Sequence, residues 1–157
     1  MNRAEVITAI DEAFAGERRP AMFIEGTCSC KECIEHNETM LRFKQKELPL
    51  DVLNNPGWDP ICFTSDHAFR YLMPGLVRLV LRYPDDYIQQ FLFHIECPSR
   101  LACLTPFQAR VVTGVLDVLA LENRDAVENN LAADDLLRAR KQLEQVDAAN
   151  GPQAGRR

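Results

Sequence analysis

The sequence has little glycine and none of the glycine-rich motifs that cradle phosphate groups. Seven glycines are spread over 157 residues, and neither a P-loop nor the G-x-G-x-x-G fingerprint of dinucleotide-binding domains occurs. The G-x-S-x-G elbow of serine hydrolases and the H-E-x-x-H motif of zinc proteases are also missing. These absences weigh against nucleotide binding and leave no familiar catalytic motif.

The sequence also lacks an excess of positive charge and any long apolar run. Its 18 basic and 23 acidic residues give a net charge of −5. This balance argues against a general binder of nucleic acid or of membrane surfaces, because both require a positive field. Acidic residues such as Glu5 and Asp11 interrupt any signal-peptide core, and Pro74 and Arg78 break the longest apolar stretch. We therefore expect a cytoplasmic protein.

Apolar side chains are present at the spacing of helices. They make up 46% of the composition, which is enough for one domain with its own core. Val6, Ile10 and Phe14 share a helix face, and no alternating run of strand length occurs. The sequence predicts a single all-α domain of six to eight helices over residues 1–150, with a short irregular segment around the cysteines and a disordered tail at 151–157.

Capping residues and prolines predict several helix boundaries. Asn2 and Thr105 each precede an apolar-periodic segment, and their side chains can cap it. Pro74 predicts a kink or break, with a second helix at 75–83. Asn130 is expected to cap the last helix.

The feature that calls for chemistry is a cluster of cysteines followed by a histidine. The chain has six cysteines, and three of them form the pattern C-x-C-x2-C-x2-H with Cys28, Cys30, Cys33 and His36. Clustered cysteines in a reducing compartment are more often metal ligands or redox groups than disulfides. Zinc prefers four sulfur and nitrogen ligands in a tetrahedron. We predict a zinc site formed by these four residues.

The spacing fits zinc only if the chain is irregular before the helix. Cys33 and His36 lie three residues apart on one helix face, but a regular helix would hold Cys30 too far from His36. Either the segment around Cys30 is not helical, or one ligand comes from elsewhere. Cys62 and His67 are the substitutes, because their segment precedes a helix expected to pack nearby. A closed site would be structural and an open position would suggest catalysis.

Two other functions remain open for the cluster. Cys30 and Cys33 have the C-x-x-C spacing of a dithiol redox protein or sensor, although no thioredoxin-like βαβ pattern surrounds them. In the second alternative the cysteines are incidental and the chain is a helical protein-interaction domain whose partner is unknown.

The remaining cysteines and His94 are interpreted as packing residues. Cys62, Cys97 and Cys103 stand among apolar residues and are expected to be buried, inert thiols. His94 lies in an apolar stretch and is expected to be a hydrogen-bonded core histidine rather than a catalytic one.

The order of motifs resembles a bacterial domain family of unknown function. The resemblance covers about residues 5–121 and rests on C-x-C-x-E-C-x-x-H at Cys28–His36, on Trp58, on F-x-Y-x-x-P at Phe69–Pro74 and on L-T-P-x-Q at Leu104–Gln108. It implies a bacterial, cytosolic protein and supports the cysteine cluster as one unit. It implies no known activity, so no catalytic role follows from it.

Overall fold

The computed structural model describes residues 1–24, 26 and 28–150, except for the side chain of residue 150. Within these residues the chain forms one compact all-α domain, as predicted, and contains no strand. A single antiparallel bridge joins Ile24 to Thr64. The predicted disordered tail, 151–157, lies outside the described residues. The α-helices are α1 Arg3–Ala13, α2 Lys31–Leu41, α3 Leu50–Leu53, α4 Asp66–Arg82, α5 Pro84–Ile95, α6 Pro98–Ala102, α7 Pro106–Glu122, α8 Arg124–Asn129 and α9 Ala133–Asn150.

Two helix starts follow directly from local sequence. Asn2 and Thr105 each form a full capping box, in which the cap side chain accepts a backbone N–H and the side chain at N3 accepts the N–H of the cap. Glu5 supplies that returning side chain in α1, and Gln108 supplies it in α7. These starts are confirmed.

Pro74 does not break the helix, which corrects the prediction of two helices there. Helix α4 continues from Asp66 to Arg82 with Pro74 inside it. An interior proline costs about 3 kcal/mol, but α4 is buried on almost every side along its length, and burial of apolar surface offsets that cost. Gly75 allows the backbone at Gln45 to pack closely against α4, because an added Cβ would lie 2.4 Å from the carbonyl oxygen of Gln45.

The end of the chain also differs from the prediction. Helix α8 was not expected, and Asn130 is its C-terminal cap instead of the N-terminal cap of α9. Leu131 follows with a φ of 53°, a left-handed conformation that reverses the chain between the two helices. Its side chain is 85% exposed.

The core lies among α1, α4, α5, α7 and α9, and the cysteine-rich segment lies at its edge. Two 3-10 helices, Pro56–Trp58 and Pro60–Phe63, precede α4, and the second packs against α2. The N–H of Ser65 donates to the carbonyl of Phe23 at 2.9 Å, and the N–H of Phe23 donates to Oδ1 of Asn37 at 2.8 Å. These two bonds hold the segment before the cysteines to α2 and to the start of α4. Among the helices of the described residues, none is both long and apolar enough to cross a bilayer.

Candidate metal centre and a second polar cluster

Three of the four predicted ligands are brought together. The Sγ atoms of Cys28, Cys30 and Cys33, here called the thiol cluster, all lie within 4.8 Å of one another, and those of Cys28 and Cys30 are 3.2 Å apart. Gly26 turns the chain before them with a φ of 77°. Cys30 has extended backbone and caps α2, its sulfur accepting the N–H of Cys33 at 3.4 Å. The irregular backbone that the zinc hypothesis requires is therefore present.

The thiols of this cluster influence each other's ionisation. Hydrogen bonds from the backbone N–H of Cys30 and from the neighbouring thiols lower the pKa of the Cys28 thiol. The same contacts, first with Cys28 and then with Cys30, raise the pKa of the Cys33 thiol to about 12. Cys28 and Cys30 are exposed, whereas Cys33 is only 9% exposed. The thiolate form is therefore favoured at Cys28 over Cys33.

His36 lies on the same helix but outside the thiol cluster. Its ring is 1% exposed and stacks between Trp58 and Phe63, with centroid distances of 4.5 and 4.3 Å. Neither ring nitrogen has a hydrogen-bond partner. The nearest acid is Glu32, whose Oε1 lies 3.8 Å from Nε2. The substitute ligands, Cys62 and His67, do not join the thiol cluster either.

A second group, which sequence reasoning missed, lies between the 3-10 helices and α5. Asp59, Cys62 and His94, here called the polar cluster, also place their ligand atoms within 4.8 Å of one another, a spacing that a metal ion could accept. Asp59 and His94 are 3% and 1% exposed, and Oδ2 lies 2.7 Å from Nε2. His94 is thus the hydrogen-bonded core histidine that was predicted, but its partner was not.

Gln90 and Arg100 complete the hydrogen bonds around this cluster. The amide of Gln90 donates to Asp59 at 2.9 Å and to the carbonyl of Leu53 at 2.6 Å. Arg100 donates to the carbonyl of Ile61 at 2.6 Å and lies 3.4 Å from Nδ1 of His94. A guanidinium can only donate, so Nδ1 is the acceptor and Nε2 carries the proton given to Asp59.

Cys62 is exposed, so the prediction that it is buried is wrong. Its 3-10 helix turns the side chain toward a cleft of about 440 Å³. The residue is exposed as a whole, but its sulfur is partly enclosed, and this desolvation, with the nearby charge of Asp59, raises the pKa of the Cys62 thiol. Cys97 and Cys103 are partly buried. The cleft is lined by Cys62, Phe93, His94, Glu96, Cys97 and Arg100.

Comparison with models of protein families, with curated proteins and with solved structures finds no match for this chain. The resemblance to a bacterial family therefore stays a prediction.

Proposed function

We propose that the chain is a small zinc-binding helical protein in which Cys28, Cys30 and Cys33 hold the ion and His36 supplies the fourth ligand. The observation that carries the proposal is the approach of three sulfur atoms to within 4.8 Å of one another. Sulfur and imidazole nitrogen are the ligands of structural zinc sites, which are closed and four-coordinate.

The state of His36 supports its inclusion. A buried polar atom without a partner costs about 1–3 kcal/mol, and both nitrogens of this ring lack one. A bond to zinc would remove that cost for one nitrogen. His36 follows Cys33 by three residues on α2, so both side chains leave the same helix face. Ligation requires the ring to turn out of its stack between Trp58 and Phe63.

The role that fits this location is structural, in a module that can also serve interaction with a protein partner. In the segment that enters α2, Cys28 and Cys30 are exposed. Zinc bound there would join this segment to the helix and to the 3-10 helices packed on it. In zinc-finger peptides, metal binding is coupled to folding in this way.

The test is metal analysis of the full chain purified without added metal or a histidine tag. We expect one zinc per chain, and replacement by cobalt should give the sulfur-to-metal charge-transfer band and the intense visible bands of tetrahedral cobalt. His36→Ala should shift the visible bands if the ring is a ligand, whereas Cys62→Ser is the control and should leave them unchanged.

Two results would contradict the proposal. Protein that contains little metal and whose thiols all react rapidly in the native state has no site. A reversible Cys30–Cys33 disulfide with no bound metal would favour the redox alternative instead.

A further inference from the structure

A second site is formed by residues that the thiol cluster does not use. We propose that Cys62, His94 and Asp59 form a thiol-dependent acyl-transfer site that cleaves small esters or thioesters in the cleft beside α5. This proposal does not depend on zinc binding by the thiol cluster, because the two groups share no residue.

The first observation is the grouping of the three side chains. Cys62 is the exposed member, and a ring nitrogen of His94 lies within 4.8 Å of its sulfur. Asp59 is buried, and its Oδ2 accepts from Nε2 of His94 at 2.7 Å. A nucleophile, a base and a group that orients the base are the parts of a catalytic triad, and its contacts are commonly loose until substrate binds.

The second observation is that the base is fixed in one tautomer. Because Asp59 holds the proton on Nε2, Nδ1 is the nitrogen that can accept a proton from Cys62. The bond from Arg100 to Nδ1 is long, at 3.4 Å, so it can give way to the incoming proton. Gln90 in turn fixes Asp59 at 2.9 Å. Asp59 is therefore a positioning residue that also stabilises the imidazolium.

The same tautomer argues against a metal at this cluster. Both nitrogens of His94 already have partners, and a cation would have to displace one of them. The three ligand atoms are close enough together for a metal ion, but the ring nitrogens of His94 are already engaged in hydrogen bonds.

The cleft indicates the class of substrate. Its volume of about 440 Å³ lies within the range of small-molecule sites. The ring of Phe93, which is 68% exposed, provides an apolar wall, and Arg100 adds positive charge to the lining of the same cleft. These features suit a small acyl compound with an apolar acyl or leaving group.

The chemistry balances without any additional reactant except water. The Cys62 proton moves to Nδ1 of His94 as sulfur attacks the carbonyl carbon, and an S–C bond forms. The C–O bond of the ester breaks, and the leaving alkoxide takes the proton from His94. Water, deprotonated by the same ring, then hydrolyses the thioester, which releases the acid and restores the Cys62 thiol.

The test uses the full chain and 4-nitrophenyl acetate. We expect a burst of nitrophenolate of one equivalent per chain and, by peptide mapping, one acetyl group on Cys62. The rate should fall in heavy water, because a proton moves in the step. Cys62→Ser should abolish the burst, and His94→Gln should slow it about 100-fold. Cys103→Ser, which removes a thiol outside the cleft, should not change it.

Three results would overturn the proposal. Acetylation of Cys28 or Cys30 at least as fast as that of Cys62 would mean ordinary thiol reactivity. A wild-type rate that is the same in heavy water would exclude the base, even if His94→Gln fails to fold. Cobalt that stays bound after all three thiols of the thiol cluster are changed to serine, and is lost with Cys62→Ser, would make the polar cluster a metal site.

Discussion

The thiol cluster with its neighbour His36 and the polar cluster both contain cysteine and histidine, but they differ in how completely their polar atoms are hydrogen-bonded. In the thiol cluster the sulfurs are near one another, and the neighbouring His36 is buried with both nitrogens unpaired. In the polar cluster every nitrogen of His94 and both oxygens of Asp59 have partners. Polar atoms without a hydrogen-bond partner favour the binding of a ligand, whereas complete hydrogen bonding favours a fixed side-chain geometry. Proximity alone therefore does not tell a metal centre from a catalytic one.

The largest effect on stability is expected in the polar cluster, where His94 and Asp59 are completely hydrogen-bonded. Asp59→Ala removes the acceptor of His94, Gln90 and the N–H of Ile61 at once. Breaking a buried pair of this kind costs about 3–5 kcal/mol, and we expect that loss in urea unfolding with or without a chelator. Asp59→Asn is the matched control and should lose less. A loss within 1 kcal/mol, on the scale of an exposed pair, would show that the pairing is not structural.

Metal removal should have the next largest effect, and only on the thiol cluster. At free zinc about 100 times the dissociation constant, binding adds about 2.7 kcal/mol to stability. We expect a strong chelator and Cys33→Ser to lower the melting temperature alike, and not additively. If the chelator lowers it equally in Cys33→Ser, the metal is bound elsewhere.

A smaller effect is expected at the rim of the cleft, where Glu96 is incompletely paired. Burial raises the pKa of its carboxyl, and the nearby charge of Asp135 adds to this despite Arg138; its Oε1 has no partner. A raised folded pKa means that the ionised form destabilises the fold, fully above that pKa and no longer once pH falls below the unfolded value. Glu96→Gln should therefore stabilise the chain by less than about 1 kcal/mol at pH 7.

The gain from Glu96→Gln should disappear in acid. Melting curves from pH 7 to pH 4 would measure it. A variant that is less stable than wild type at pH 7 would show that the ion pair with Arg138, at 3.6 Å, outweighs the burial.

The smallest effect is expected from Cys62→Ser. The side chain is exposed, so its replacement should change stability by no more than about 0.5 kcal/mol. Cys33→Ser makes the same chemical change at a site that we assign to a metal. Equal melting temperatures for the two variants would remove the difference between the clusters.

The sequence allowed the prediction of features that are local. The capping boxes at Asn2 and Thr105 span four residues each, and the thiol cluster lies within six, so spacing alone was informative. The all-α class followed from helical periodicity for the same reason.

The polar cluster could not be predicted, because its contacts join distant parts of the chain. Asp59 and His94 are 35 residues apart, and Arg100 reaches back 39 residues to Ile61. The continuous helix through Pro74 has a similar cause, since burial in the assembled core outweighs a local preference. Asp59 gave one weak signal in the sequence, because an acid stands before a proline at the start of a 3-10 helix. Rules based on the spacing of ligands do not consider this signal.

The stack on His36 gives the molecule an optical reporter. Trp58 is the only tryptophan in the chain, and its ring lies 4.5 Å from that imidazole. An indole that loses an aromatic neighbour and gains contact with water changes its emission. If His36 leaves the stack to bind zinc, the fluorescence of this one residue will follow the filling of the site in real time, without a label and without contributions from any other tryptophan.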